Sequence, residues 1–556
     1  MKYLLQILAV TALLLTNYTA KAQMDYDGEP YSFNHTLSLA VHTIEFDALD
    51  EEALLAEDET AGKNQALRIG VKKEVNYTIL NAGRIDILSN GGRLWRLALH
   101  FEDATFSFLH FSTFHIPDGA EIFFYTPDRE FVIGKFTNKD QMEDGTFYPQ
   151  EIPGEDVIIE YYEPAGCAFR GNLAIDFISQ GYRDLFNIRA EKDGAQTCHP
   201  NAICKDATTH MQSQDGTWHQ QIQAVALLVI NGSGACTGTM INNTANDNKK
   251  YFLTANHCYE NGASCEFYFK YQSPQCSPTT EPNLTYSNRV TGANLRARSY
   301  TGGDNEPSVT TSSDFMLLEI SGNIKASNDV YLAGWDRSTS TPSNPTYCGC
   351  IHHPAADVKK FSTPRQISTG GSPWNKYWET TWNKSTGTTE GGSSGSALFN
   401  ARGLIVGQLY GGTSSCTEYG NNYPDYFGKF SNSWTNSNNS NSAKKLQPWL
   451  DPNNTGTTAL QGRWMNGAPS SIKSNEAANL NVLPNPSNGI VTVSGSYNEG
   501  EGICNIYNMM GTLVFSKSIN LNDETTLNLT KLTPGMYMLE IYDNNDIYRT
   551  KILISK

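Results

Sequence analysis

Between Cys198 and Pro452 the apolar residues come in short runs, "AVALLVI", "YFLTA", "CEFYFKYQ", "FMLLEI" and "GLIVGQLYG", separated by clusters of Gly, Asn and Ser. Such runs are too short to build the face of a helix, which needs about ten residues or more, and their turn-forming borders predict strands. Many short strands at close spacing predict an all-β barrel or sandwich. Only "AKKLQPWLDP" reads as a short helix. This region also holds nine of the chain's eleven cysteines.

The 556 residues exceed one ordinary domain, and about 150 residues per domain suggests three or four units. Met1-Lys2, the apolar run Leu4 to Leu15 and Ala20-Lys21-Ala22 read as a secretory signal over residues 1–22. Export makes oxidised cysteines available. No later stretch reaches the ~18 consecutive apolar residues of a membrane helix, so no transmembrane segment is expected. The net charge of -16, with no basic cluster against it, argues against a nucleic-acid partner. From about Lys63 to Glu163, "RLWRLALHFEDATFSFLHFSTF" and "AEIFFYTPDREFVIGKF" alternate apolar and polar residues around the turn Pro117-Asp118-Gly119, predicting a β-sandwich within residues 23–192. The charged stretch "IRAEKDGAQ" then reads as a processing linker, with cleavage expected between Lys192 and Asp193. A catalytic unit over 193–465, a polar linker over 466–478 and a small β-sandwich over 479–556 complete the division.

"TEGGSSGSALFN", Thr389 to Asn400, sets serines between glycines before a short strand. Glycine lets a backbone bend until its N–H groups face an oxyanion while a serine hydroxyl stands free. Because Gly and Ser are also the commonest loop residues, partners elsewhere must decide. Acyl transfer through serine needs a base and an acid that orients it. "YFLTANHC" places His257 after one strand and "SSDFMLLEI" places Asp314 before another, giving the order His257, Asp314, Ser394 inside one all-β, disulfide-permissive region.

"ACTGTMINN", "YFLTANHC", "SSDFMLLEI", "AGWDR", "IHHP", "GGSSGSAL" and "GQLYGG" together resemble the lysyl endopeptidase family of secreted, chymotrypsin-fold proteases, over about residues 193 to 452. The preceding domain is more loosely similar to that family's propeptide. The resemblance implies a double β-barrel, with His257 as general base, Asp314 as its orienting carboxylate and Ser394 as nucleophile. It also implies an oxyanion hole from the N–H groups of Gly392 and Ser394. Ser393 and Ser396 are rival serines outside the Gly-x-Ser-Gly position. Cys236 and Cys258 bracket the strands leading to His257, and the family pattern pairs them, as it pairs Cys198 with Cys416 and Cys204 with Cys276.

The family's specificity acid matches Asp425 in "NNYPDYFGKF", implying preference for Lys or Arg before the cut bond. Tyr410, Gly411 and Gly412 of "GQLYGG" would line the cleft; Tyr410 stands where strict lysyl enzymes have a histidine stacked on tryptophan, so Lys is preferred without strictness. Trp374 and Trp378 are both candidates for that partner. In or near the catalytic unit Cys167, Cys265, Cys348 and Cys350 are left over, and a bridge from Cys348 or Cys350 to Cys265 is expected. No metal or cofactor is expected, because Cys348-Gly349-Cys350 lacks a second ligand pair and His352 and His353 would point opposite ways on a strand.

At the C-terminus, "LPNPSNGIVTV", "IYNMMGTLVFS" and "LTPGMYMLEI" resemble the sorting domain of the type IX secretion system, implying that machinery as a partner. The resulting expectation is a secreted, monomeric serine endopeptidase, made as a proenzyme and acting on protein and peptide substrates after Lys. The alternatives are an inactive homologue serving as an adhesin or binding protein, and glutamyl specificity, which would want a basic pocket instead of Asp425.

Overall fold

In the computed structural model of the chain, the described residues are 28–37, 40–186, 195, 197–205, 218–259, 262–274, 276, 288–300, 312–436, 440–466, 481–494, 501–508, 513–520, 524–542 and 547–555. The expected signal sequence, the Lys192–Asp193 bond and nearly all of the 466–478 linker lie outside them. The chain divides into two compact units, Met1–Leu49 with Lys73–Ile178, and Asp50–Lys72 with Ser179–Lys556. Residues 50–72 therefore group with the region from Ser179 onward.

The first unit is a β-sandwich. One sheet runs in the order Thr43–Phe46, Arg93–Phe101, Asp156–Glu163, Glu121–Tyr125, Val132–Phe136; the other runs Gly70–Thr78, Asn172–Gly181, Phe106–His115, Ile152–Pro153. Trp95, Leu97, Leu99 and Phe101 fall at every second position of one strand and enter one core with Leu109, Phe111 and Phe124. Alternate residues of "RLWRLALHF" thus supply this core, and Leu94, Arg96 and Ala98 on the opposite face are buried as well.

In the second unit, a first sheet runs Arg289–Thr291, Cys265–Tyr268, Val225–Ile230, Gly234–Met240, Tyr251–Ala255, Phe315–Ile320, Ala293–Arg298. Its first and last members are consecutive in the chain across Gly292, whose φ is 82°, so one bent run closes the sheet into a barrel. A second sheet runs Lys360–Ser362, Gly349–His352, Ala397–Phe399, Ile405–Gly412, Asp425–Lys429, Tyr377–Trp382, Pro364–Thr369, and closes the same way across Thr363. The fold is a chymotrypsin-like double β-barrel.

The strands between the barrels are buried on both faces. Ala226, Leu228, Phe252, Met316 and Leu318 fill the first barrel, while their neighbours Val225, Leu253, Phe315 and Leu317 meet Trp335, Phe399, Ile405 and Phe430 in the seam between barrels. That explains why "AVALLVI" and "FMLLEI" read as continuous apolar runs. The expected helix in "AKKLQPWLDP" is two short pieces, Ser442–Lys444 in 3-10 form and Gln447–Leu450 in α form.

The C-terminal region packs a three-stranded sheet, Asn481–Leu483, Ile490–Ser494, Thr525–Asn528, on a four-stranded one, Leu513–Asn520, Glu501–Asn508, Gly535–Tyr542, Ile547–Ile554, around Val491, Ile506, Leu527 and Leu539. No helix among the described residues is long and apolar enough to cross a membrane. Because Phe252 is fully buried inside the first barrel, Phe252→Ala should cost about 3–5 kcal/mol of stability, read as a lowered urea midpoint.

Candidate active site

Strands Tyr251–Ala255 and Phe315–Ile320 pair antiparallel with Ala255 opposite Phe315, so the residues just beyond this end emerge side by side. Asn256 N–H donates to the Asp314 carbonyl at 2.8 Å, and His257 N–H donates to Asp314 Oδ1 at 3.1 Å. His257 Nδ1 lies 2.7 Å from Asp314 Oδ2. A carboxylate at that distance makes Nδ1 the proton-bearing nitrogen and leaves Nε2 as the acceptor. Asp314 has a φ of 56°, a left-handed conformation that aspartate tolerates better than most residues, and its N–H donates to Ser312 Oγ at 3.0 Å. The Cys236–Cys258 disulfide pins the short 3-10 turn Asn256–Cys258 to the Gly234–Met240 strand.

Ser394 sits in the turn between Glu390 and Ala397 on the second barrel. The Gly391 carbonyl accepts from Ala355 N–H at 2.7 Å, and the Ser393 carbonyl accepts from Ser396 N–H at 3.0 Å. Each trans peptide then points the following N–H, of Gly392 and of Ser394, away from its held carbonyl. Thr237 of the first barrel ties the turn down, its hydroxyl donating to the Gly392 carbonyl and its N–H to the Ser394 carbonyl, both at 2.8 Å. Gly392 and Gly395 have φ near 85° and 83°; a Cβ at Gly395 would sit 2.1 Å from Thr254 Oγ1. Only glycine fits there.

The rival serines are engaged elsewhere. Ser393 Oγ lies 2.7 Å from His352 Nδ1, and Ser396 Oγ lies 3.2 Å from Cys350 Sγ. Ser394 Oγ instead donates to the carbonyl oxygen of Lys63 at 2.8 Å, and His257 Nε2 has no hydrogen-bond partner among the described residues. The structure thus brings His257 and Asp314 into contact, while the Ser394 hydroxyl is turned to another acceptor. Tyr410 borders His257, ring centroids 5.9 Å apart, on the strand whose Leu409 carbonyl accepts from Gly395 N–H.

Asp425 opens the Asp425–Lys429 strand and is fully buried. Trp382 Nε1 and Thr389 Oγ1 each donate to Oδ2 at 2.7 Å, Ser414 Oγ donates at 2.6 Å, and Ser414 N–H reaches Oδ1 at 3.3 Å. The ammonium of Lys63 is the counter-charge: Nζ lies 3.4 Å from Asp425 Oδ1, 3.2 Å from Thr389 Oγ1 and 3.0 Å from Ser414 Oγ. Burial pulls the Lys63 pKa below the usual lysine value, and Asp425 pulls against it. Gly412 flanks the acid, since a Cβ there would lie 2.2 Å from Asp425 Oδ1; Gly411 flanks the Lys63 carbonyl carbon, at 3.0 Å from such a Cβ. Trp374, not the buried Trp378, stands beside Tyr410 at 5.6 Å, and it stacks on Tyr426 at 4.0 Å.

Disulfides join Cys198 to Cys416 and Cys204 to Cys276 as well. The bridge expected at Cys265 is absent: Cys265, Cys348 and Cys350 lie buried in barrel cores outside any disulfide, and Cys167 is not disulfide-bonded either. Hydrophobic surroundings, not disulfide pairing, account for Cys265, Cys348 and Cys350.

Sequence reasoning missed Thr389, Ser414 and Trp382 as ligands of Asp425, although Thr389 stands inside the quoted serine motif. It also missed the layer behind the nucleophile, where His352 bridges Ser393 and Ser362 (Nε2 to Ser362 Oγ 2.9 Å). Nothing local singled out Lys63.

Two closed barrels with a paired histidine and aspartate on one and a glycine-bounded serine on the other define a serine protease. Residues 193–428 match the family model described as lysyl endopeptidase, C-terminal domain, and residues 481–555 match that of the secretion system C-terminal sorting domain, so the chain carries both. A lysyl endopeptidase of Pseudomonas aeruginosa is 28% identical over 377 residues, spanning 63% of this chain and 73% of that relative. Solved structures similar to this chain include the serine endoprotease from Yersinia pestis (TM-score 0.27, 14% identity, 62% of this chain and 97% of that one). Another is the HtrA-type protease AlgW with tripeptide (TM-score 0.24, 12% identity, 62% and 96%). The sorting domain marks the protein as secreted by the type IX route.

Burial pushes the pKa of His353 down to about 3, with Lys359 adding to the effect, so this histidine is neutral in the fold and takes up a proton only on unfolding. Its contribution to stability is full above about pH 6.5 and declines as pH falls from there toward 3. His353→Asn should flatten that part of the stability-against-pH curve, measured by urea denaturation at successive pH values.

Proposed function

We propose that this protein is a secreted endopeptidase that cuts after basic residues, Lys preferred, through an acyl-enzyme on Ser394, and that it is made as a proenzyme with a cleavable signal sequence over 1–22. The observation that carries the specificity is the fully buried Asp425 carboxylate, held by Trp382, Thr389 and Ser414. A buried anion favours a cationic side chain, and an apolar one would leave the charge unpaired. Glutamyl specificity is disfavoured by the same carboxylate.

In the reaction, Ser394 Oγ attacks the carbonyl carbon after the bound lysine while His257 Nε2 takes its proton. Asp314 keeps the imidazole in the required tautomer and stabilises its cation through the Nδ1 bond. The N–H groups of Gly392 and Ser394 receive the oxyanion. The imidazolium then protonates the departing amine, and water repeats the sequence on the acyl-enzyme. Tyr410, Gly411 and Gly412 border the extended substrate, the glycines leaving its backbone room to pair.

Ser394→Ala should lower turnover on the order of a million-fold, by analogy with a related triad, while leaving fold and disulfides intact. Cleavage of a casein substrate at near wild-type rate by the purified variant would refute the nucleophile. Asp425→Asn should keep reactivity toward a fluorophosphonate but lose the preference for Lys over Leu; an unchanged ratio of kcat/KM would put the specificity acid elsewhere. Activation is read as self-cleavage between Lys192 and Asp193, since Lys192 suits the Asp425 pocket. The Ser394→Ala chain expressed alone should then keep its N-terminal part, and N-terminal sequencing that found Asp193 in that variant would assign the cut to another protease.

A further inference from the structure

Lys63 belongs to the segment 50–72, far in sequence from the barrels, yet its side chain and carbonyl both enter the candidate site. We propose that Gly62–Arg68 is a built-in, substrate-like plug that holds the intact chain inactive, with Lys63 as the residue read by the specificity pocket. The inference rests on the assignments of Ser394 and Asp425 made above.

Three independent features agree. First, the Lys63 ammonium is bound by Asp425, Thr389 and Ser414, the contacts a substrate lysine would make. Second, its carbonyl lies at Ser394 Oγ, and the Lys63–Asn64 peptide runs along Gly411, where a Cβ would come within 3.0 Å of Lys63 C and 3.2 Å of Asn64 N. Third, the chain beyond the carbonyl continues as a bound peptide would. Leu67–Arg68 pairs antiparallel with Ala235 and Gly234, and Ile69 N–H donates to the Ser233 carbonyl at 2.8 Å.

Two features oppose cutting. The Ser394 hydroxyl proton is directed at the Lys63 carbonyl instead of at His257, so the base is not poised to take it. The chain before Lys63 is also the helix Glu51–Ala61, which ends at Gly62 with a φ of 74°, and not an extended strand. This helix is braced to the plug's own Arg68 and to Tyr182 and Arg183. Asp58 accepts from Arg68 Nε at 3.0 Å and from Arg183 Nη2 at 2.8 Å, and it bonds the Tyr182 hydroxyl; Arg68 Nη2 also donates to the Leu54 carbonyl at 2.9 Å. If the Lys63–Asn64 bond were cut, both new ends would stay anchored side by side, so the amine would return to the acyl group faster than water arrives.

The test labels Ser394 with a fluorophosphonate and follows the full-length band on a gel. Intact wild-type chain should react slowly, and Lys63→Met, which keeps the apolar stem without the charge, should react on the order of tenfold faster or more, because a closed majority state withholds the site in proportion to its population. Lys63→Arg should stay slow. Asp58→Ala, which loosens the brace without touching the cleft, should also speed labelling. Processed enzyme from each variant should label at one common rate. Equal rates for intact wild type, Lys63→Met and processed enzyme would overturn the plug while leaving Ser394 as nucleophile. Processed enzyme that fails to label would instead overturn the nucleophile assignment. Rapid appearance of a chain beginning at Asn64 would overturn inhibition by making the segment an ordinary substrate.

Discussion

The apolar seam between the two barrels is the constraint on which the site depends. Trp335, Phe399, Ile405 and Phe430 from one side meet Val225, Leu253, Phe315 and Leu317 from the other, all fully buried. The seam fixes the position of one barrel on the other, and the candidate residues divide between them. His257 and Asp314 come from the first, Ser394 and Asp425 from the second. Thr237 crosses the division with two hydrogen bonds to the serine turn. A shift of even an ångström in the seam would move the His257–Asp314 pair relative to Ser394, because side chains at strand ends follow their sheets rigidly.

Around that seam the second barrel buries an unusual set of polar groups. An unpaired carboxylate inside a protein is costly, and Asp425 is met by four donors and a cation. His352 takes the opposite course: burial and the neighbouring His199 push its pKa down, so it stays neutral and bridges Ser393 to Ser362. Both arrangements stiffen the Thr388–Ser396 segment, one from the pocket side and one from behind. In the proposed reaction, a rigid turn would keep the N–H groups of Gly392 and Ser394 oriented before the substrate's charge develops.

The plug uses the same chemistry as the substrate. Its ammonium satisfies the pocket acid, and its backbone extends the first barrel by pairing with Gly234–Ala235. Under the proposed lysine specificity the chain has a ready means of restraining itself, provided the lysine is held in a frame that disfavours turnover. The bracing of Asp58 by Arg68, Tyr182 and Arg183 supplies such a frame.

The sequence by itself determined the all-β class and the two flanking β-sandwiches, and it named the candidates for acyl transfer. Short apolar runs between turn residues leave little but strands, and "GGSSGSAL", "TANHC" and "SSDF" each place a reactive side chain at a strand end. It could not place the helix in "AKKLQPWLDP" as one piece or predict that Cys265 forms no disulfide, because the first depends on packing and the second on which strand faces a barrel core. Only the tertiary structure decided what lies around Asp425, for Trp382, Thr389 and Ser414 reach it from separate segments. It alone brought Lys63 to the cleft, across more than three hundred residues of chain, since a bound peptide is recognised by pocket charge and strand pairing in space and leaves no periodicity along the sequence.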